Sequence, residues 1–350
     1  MLLEEREHHL RIGAPPHGAA DEDGVVLREV GGGAFIGRKL AFVGLFLRQV
    51  DERRIGHAVV LVGDNLILVG TRDVAGMIVL AGTDLSAGRI LGCGAAISAS
   101  LLQSVTYASR MYKGITEPLP LWIPLLLSIA VCVLFCLING FGVAKLHMHA
   151  FIISLGTQLI AYGVLCLYID SQEGGAQPLA SLDPRYIELV NGWTLGMPNL
   201  VWFLLICSAV MWVIWNKTTL GKNMFAIGGN TEAAAVSGVN VAKNIMLIYL
   251  VAGILYGIAA FLEAGRIQSV TTATGTNYDL DAISACVIGG VSFNGGVGTI
   301  PGILIGVVIL QVINYSLYYL GVNAYLQYII KGLIIVLAVA IDVRKYIAKK

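Results

Sequence analysis

NKTTLGKNMFAIGGNTEAAAVSGVNVAK, residues Asn216 to Lys243, is a polar, basic, glycine-punctuated island between two runs of chain apolar enough to cross a bilayer. Asn230 suits a helix N-cap, because its side-chain oxygen accepts from backbone N–H groups of the next turn. Glu232 suits the positive end of that helix, and Ala233, Ala234 and Ala235 are the best helix formers. Gly238 then supplies a left-handed stop. The pattern predicts a helix of about two turns, which is marginal alone in water and calls for something to pack against. The rest of the chain is expected to hold this helix at a membrane surface, where another protein would meet it.

Outward from the island, composition gives the class. The 350 residues are 57% hydrophobic and only 13% charged, with a mean hydropathy of +0.78, whereas soluble domains carry about 25% charge. The fold class is therefore all-α, a polytopic membrane protein. Pro118–Ala144, Leu146–Ile169 and Leu189–Asn216 contain no charge, and each exceeds the ~20 residues that a spanning helix needs. Eight spans are countable: an end near residue 74 together with the run to 104, then 118–144, 146–169, 198–215, 244–263, 281–293, 297–319 and 324–342. Pro198 and Trp215 should fall near the two interfaces of their span, where Trp is favoured. Lys217, Lys222, Lys243, Lys145, Arg344, Lys345, Lys349 and Lys350 then share one side, and the acidic loop from Asp170 to Met197 lies on the other. Basic loops mark the cytoplasm, so the central loop and C-terminus are placed inside.

Small residues recur at four-residue intervals in two places. Gly88 and Gly92 with Ala96 and Ser100 form one smooth stripe, and Gly298, Gly302 and Gly306 form another. Such stripes let helices approach closely in lipid, where hydrophobicity gives no preference for a partner. Each follows a polar or glycine-rich break, a weak internal echo of the kind transport folds place around a pathway.

Five further stretches extend the island's pattern: GTDLSAGR (Gly82–Arg89), WNKTTLGKNMFAIGGN (Trp215–Asn230), LEAGRI (Leu262–Ile267), LDAISACVIGGVSFNGGVGT (Leu280–Thr299) and QYIIKG (Gln327–Gly332). In this order the chain from about Val74 to Lys350 resembles the ribose/galactoside permeases, the membrane subunits of bacterial ATP-driven sugar importers. Its galactose/methyl-galactoside branch is the nearest in sequence. The resemblance implies ten membrane helices of the large, vitamin B12 permease-like type and a permease homodimer in the cell inner membrane. It also implies an ATPase subunit carrying ATP and Mg, and a periplasmic or extracellular sugar-binding protein. Gly228, Gly229, Asn230, Glu232, Ala233, Ala234, Ser237 and Gly238 match the cytoplasmic coupling helix that such an ATPase grips. The small residues there are expected to fit a partner's cleft.

The beginning of the chain departs from that pattern. Of 23 basic and 22 acidic residues, 8 and 9 fall within residues 1–54, and no basic start precedes an apolar core, so no signal peptide is expected. Residues 1–60 are set apart as an atypical charged segment, frame-shifted or mis-started, with a genuine divergent tail as the alternative. The permease domain is assigned to 61–350. Gly32 to Lys39 imitates a phosphate-binding loop but lacks the hydroxyl residue after its lysine, so nucleotide binding by this chain is not expected.

Candidates for chemistry are few. The six cysteines lie in apolar stretches without metal-ligand spacing and are expected to be inert. His147 and His149 are taken as interfacial polar residues, no metal site is expected, and the net charge of +1 excludes a nucleic-acid partner. Asp84 is expected to cap the helix after it, Lys331 to snorkel to the outer interface, and Glu263, Asp279 and Asp281 to flank an outward segment. No catalytic constellation is present, so the chain is expected to transport and to catalyse nothing. The runner-up is a stand-alone secondary carrier or channel, which would need an ionisable relay for which only Asp84, Arg89 and Lys331 are candidates.

Overall fold

A computed structural model describes residues 74–80 and 82–347. The expectations for residues 1–60 and for the Gly32–Lys39 loop lie outside the described residues. Among the described residues the named elements are helices and one hairpin of two two-residue strands, joined by turns and loops. Residues 74–79 are helical and precede α1 (Ala87–Leu101), α2 (Trp122–Ala144) and α3 (Ala150–Asp170). Then come α4 (Pro184–Asn191), the hairpin β1 (Trp193–Thr194) and β2 (Met197–Pro198), and α5 (Asn199–Lys217). The island forms α6 (Thr219–Gly229) and α7 (Thr231–Val236), followed by α8 (Val241–Ile267), α9 (Tyr278–Ile288), α10 (Ile300–Tyr319) and α11 (Ala324–Ile347). Among the described residues, α2, α3, α5, α8 and α10 are long and apolar enough to cross a membrane.

Helix α1 sits at the centre, and its sequence explains why. Ten of its 15 residues are Gly, Ala, Ser or Cys, so neighbours close on it from several sides: a Cβ added at Gly94 would lie 2.8 Å from both Cys132 Sγ on α2 and Ala260 Cβ on α8. Helix α8 runs along α2 in the same way, with Gly257 so close that an added Cβ would come within 2.3 Å of Ile129 Cα. Where lipid and side chain are equally apolar, such close van der Waals packing is what selects one helix pairing over another. The outer faces of α2 and α3 carry exposed Trp122, Leu134, Phe151, Leu159 and Leu167, the surface expected of helices facing hydrocarbon.

The two glycine stripes meet different partners. Gly88 and Gly92 face the backbone of the loop before α9, where added Cβ atoms would lie 2.3 Å from Gly275 O and 2.7 Å from Thr274 O. Gly302 and Gly306 face α9 itself, at 2.3 Å from Gly289 O and 2.2 Å from Ala285 O. Helices α9 and α10 thus form an antiparallel hairpin. Helix α9 has 11 residues and is about 16 Å long, roughly half of the hydrocarbon thickness.

The Asp170–Met197 loop is ordered by its own caps and bridges. Asp183 caps α4 by accepting from the Arg185 N–H at 2.9 Å, Tyr186 is buried against Phe261 with ring centroids 4.8 Å apart, and backbone bridges join Gln103 to Leu182 and Leu179 to Val270. Trp215 lies two residues before the end of α5, where it is 3% exposed and stands edge-on to Phe225 at 5.5 Å, because α6 folds back over that end. One expectation needs correction: Asp84 is not the cap of α1, which begins at Ala87 behind Ser86.

Candidate functional site

The island folds into two short helices whose ends are all specified locally. Thr218 caps α6 by accepting from the Gly221 N–H at 3.3 Å. Asn230 caps α7 by accepting from the Ala233 N–H at 2.9 Å. Helix α7 ends as its sequence demands: Gly238 has φ +86°, its N–H donates to Ala235 O at 3.0 Å, and the Val239 N–H donates to Ala234 O at 3.1 Å. This paired closure satisfies carbonyls that would otherwise be orphaned and needs a residue tolerant of positive φ. Asn240 then caps α8 by accepting from the Lys243 N–H at 2.9 Å.

Burial divides the eight residues assigned to coupling. Gly229, Asn230, Glu232, Ala233, Ser237 and Gly238 are exposed, while Gly228 and Ala234 are buried. The small size of those two serves this chain's own packing, which corrects the expectation that every small residue here is kept for a partner. Val236, 90% exposed, is an apolar side chain on the same short helix that sequence reasoning passed over.

Beneath the exposed helix lies a joint made of backbone alone. A Cβ added at Gly228 would lie 1.7 Å from Val79 O and 2.8 Å from Gly296 N. The Gly296 N–H already donates to Val79 O at 2.8 Å, and Gly296 holds φ +70° with Gly229 Cα 2.9 Å from its own added Cβ position. The end of α6, the helical turn 74–79 and the α9–α10 elbow are thereby locked at one point. A Cβ added at Gly298 would lie 3.0 Å from Val79 Cγ2. The signal for this joint was present in SFNGGVGT, but its partner Val79 is over two hundred residues away.

The ionisable residues are tied down. Asp84 is fully buried. Its Oδ1 accepts from the Ser86 N–H and hydroxyl at 2.8 and 2.5 Å, and its Oδ2 accepts from the Tyr256 hydroxyl at 3.3 Å. Asn139 donates to Ser86 Oγ at 2.8 Å, and Thr157 donates to Asn139 Oδ1 at 2.5 Å, so one polar chain ties the start of α1 to α2, α3 and α8. Arg89 donates to Thr272 O at 3.1 Å and sits 4.4 Å above the Tyr162 ring.

Glu263, expected at an outward surface, is 1% exposed; its Oε1 accepts from Arg266 Nη2 and the Tyr278 hydroxyl, both at 2.7 Å. Asp279 is 5% exposed. Lys331 does not snorkel: Nζ donates to both oxygens of Asp281 at 2.9 and 3.0 Å, because the start of α9 offers a carboxylate within reach of α11. His147 and His149 are exposed in the α2–α3 turn.

A family model described as branched-chain amino acid transport system / permease component matches residues 75–339. The chain is 47% identical over 295 residues to the galactose/methyl galactoside import permease protein of Escherichia coli (strain K12), covering 83% of this chain and 87% of that one. It is 35% identical over 268 residues to the ribose import permease protein of Haemophilus influenzae, covering 76% and 78%. With the L-arabinose transport system permease protein of Escherichia coli (strain K12) the identity is 33% over 267 residues, 76% of each chain. No solved structure matches it.

Proposed function

Since the chain belongs to the family of branched-chain amino acid transport system permease components, we propose that its cargo is galactose or methyl galactoside and that α7 is the helix through which an ATPase drives it. It is a membrane-spanning subunit of an ATP-binding cassette importer, a transport component and not an enzyme. The sugar is carried over from relatives such as the Escherichia coli protein, at 47% identity; the ribose permease, at 35%, marks the second choice. ATP and Mg belong to the separate ATPase, and a binding protein delivers sugar from outside. Two copies of the chain enclose the pathway in the inner membrane, with α7 and the C-terminus in the cytoplasm.

One observation supports this reading above the others: a capped, solvent-facing helix, Asn230 to Gly238, stands between two spans on a rigid backbone joint. A push on α7 would pass through Gly228 to Val79 and to the α9–α10 elbow without being absorbed by flexible side chains. ATP binding would draw the two α7 helices together and open the pathway outward, and hydrolysis would reverse it. A stand-alone carrier is disfavoured, because Asp84, Arg89 and Lys331 are each held by partners.

The test is co-purification from detergent-solubilised membranes with an ATPase subunit from the same genome. Retention of the ATPase by the wild type and its loss on Val236→Glu, at unchanged yield of folded permease, is expected. ATPase retention unaffected by Val236→Glu would remove docking from α7.

A further inference from the structure

The buried face of α10 is apolar for three turns and then changes character. Ile300, Ile303, Val307 and Leu310 are at most 2% exposed, and the next two positions on that face are Gln311, 6% exposed, and Asn314. Gln311 Nε2 and Asn314 Oδ1 are both shielded from solvent and without a hydrogen-bond partner among the described residues. Buried amides are nearly always hydrogen-bonded, so two orphaned atoms three residues apart call for a ligand or a conformation that satisfies them.

Their level in the bundle follows from the glycine contacts. Gly302 lies against Gly289 and Gly306 against Ala285, so each turn up α10 matches one turn back along α9. Carried one turn further, this register sets Leu310 at the level of Asp281, and Asn314 falls a turn later, past the start of α9 at Tyr278. Gln311 therefore lies about level with the Asp281–Lys331 ion pair, which fixes the α9 wall to α11, and Asn314 lies about one turn beyond it.

We propose that Gln311 and Asn314 form a hydroxyl-binding step on the sugar pathway. The pair offers one donor, Gln311 Nε2, and one acceptor, Asn314 Oδ1. A hydroxyl accepts from the first while donating to the second, which neither an apolar group nor a metal ion can do. Three residues apart on a helix, the two side chains are surface neighbours separated by about 4.5 Å along the axis, a span that one sugar edge bridges. Neutral amides hold such a cargo without the tight grip of a charge, as a step that must release it requires. This inference rests on the permease reading given above and adds to it the polyol-contacting residues.

The experiment uses the full transporter, permease with ATPase and binding protein, in proteoliposomes supplied with saturating labelled D-galactose or one of its monodeoxy analogues. Gln311→Met and Asn314→Leu keep side-chain volume and remove the amide. Each should slow galactose uptake about three- to tenfold, the range that one neutral hydrogen bond supplies. The sugar concentration for half-maximal uptake and the ATP hydrolysis stimulated by loaded binding protein should stay within about twofold of wild type. At least one deoxy analogue should be carried equally by wild type and variant, since it lacks the hydroxyl that the amides hold. Galactose uptake unchanged in both variants would overturn this inference alone, as would an equal slowing of galactose and every analogue. Absence of monosaccharide uptake by the wild-type complex would overturn the permease reading and this inference with it.

Discussion

Substitution of Gly228 by alanine should break the link between ATP hydrolysis and transport, while the same change at Gly229 should not. A methyl at Gly228 would land 1.7 Å from Val79 O, and real Cβ contacts essentially never fall below 3.0 Å. The end of α6 must therefore retreat by about 1.3 Å, the difference between those distances. No side chain can rotate away, because the opposing atoms are backbone. Overpacking of this kind costs about 1–3 kcal/mol. Displacing Val79 O also endangers the hydrogen bond it accepts from the Gly296 N–H; because Gly296 is half-buried, losing that bond adds about 1 kcal/mol. At Gly229 no atom lies within 4 Å of the added Cβ, so alanine there is expected to be neutral or slightly stabilising. The assay measures folded permease, ATPase retention, sugar uptake and sugar-stimulated ATP hydrolysis in the same membranes. Gly228→Ala should retain the ATPase yet lose more than tenfold of uptake together with sugar stimulation, and Gly229→Ala should match wild type. Equal uptake by the two variants would refute the transmission of force through this joint.

Three other outcomes follow from the same geometry. Ala234→Glu forces a carboxylate into a site only 5% exposed and should lower the yield of folded permease, costing several kcal/mol unless the charge finds a partner; full yield by fluorescence-detected size exclusion would contradict this. Lys331→Met leaves the Asp281 carboxylate, 14% exposed, without its cation and should destabilise by about 2–3 kcal/mol, a little below the cost for a fully buried pair; the added change Asp281→Leu should recover most of the loss in a thermal-shift measurement. The Arg185 guanidinium hydrogen-bonded to Asp183 holds that carboxyl below its ordinary value, so its support of α4 is complete above about pH 4 and fades as pH falls through the lower folded-state value. Arg185→Ala should move that loss to higher pH, seen as earlier deuterium uptake across residues 184–192 on acidification.

Local chemistry made α7 legible in the sequence. Asn230, the alanine run and Gly238 each act within one helical turn, and the structure uses each as propensity dictates. The long uncharged runs were equally legible, because hydrocarbon imposes length and composition on a helix directly. Pairings across the fold were not. Lys331 finds Asp281 fifty residues away, Gly228 meets Val79, and Trp215 is roofed by a helix that begins at Thr219. None of these has a local signature, since a glycine looks the same whether its missing side chain admits a partner protein or the chain's own carbonyl. Ala234 was misassigned for that reason. Gln311 and Asn314 went unremarked or unplaced because orphaned amides are visible only once every neighbour has been located.

ATP-dependent uptake in proteoliposomes separates an importer subunit from a carrier acting alone. The purified chain is reconstituted with its ATPase and binding protein, ATP is enclosed with the ATPase, and labelled galactose is offered outside. Accumulation of galactose above its external concentration, abolished by omitting either ATP or the binding protein, is the result expected of an importer permease. Galactose entry that continues at the same rate without ATP and without the binding protein would contradict it and mark the chain as a carrier or channel acting alone.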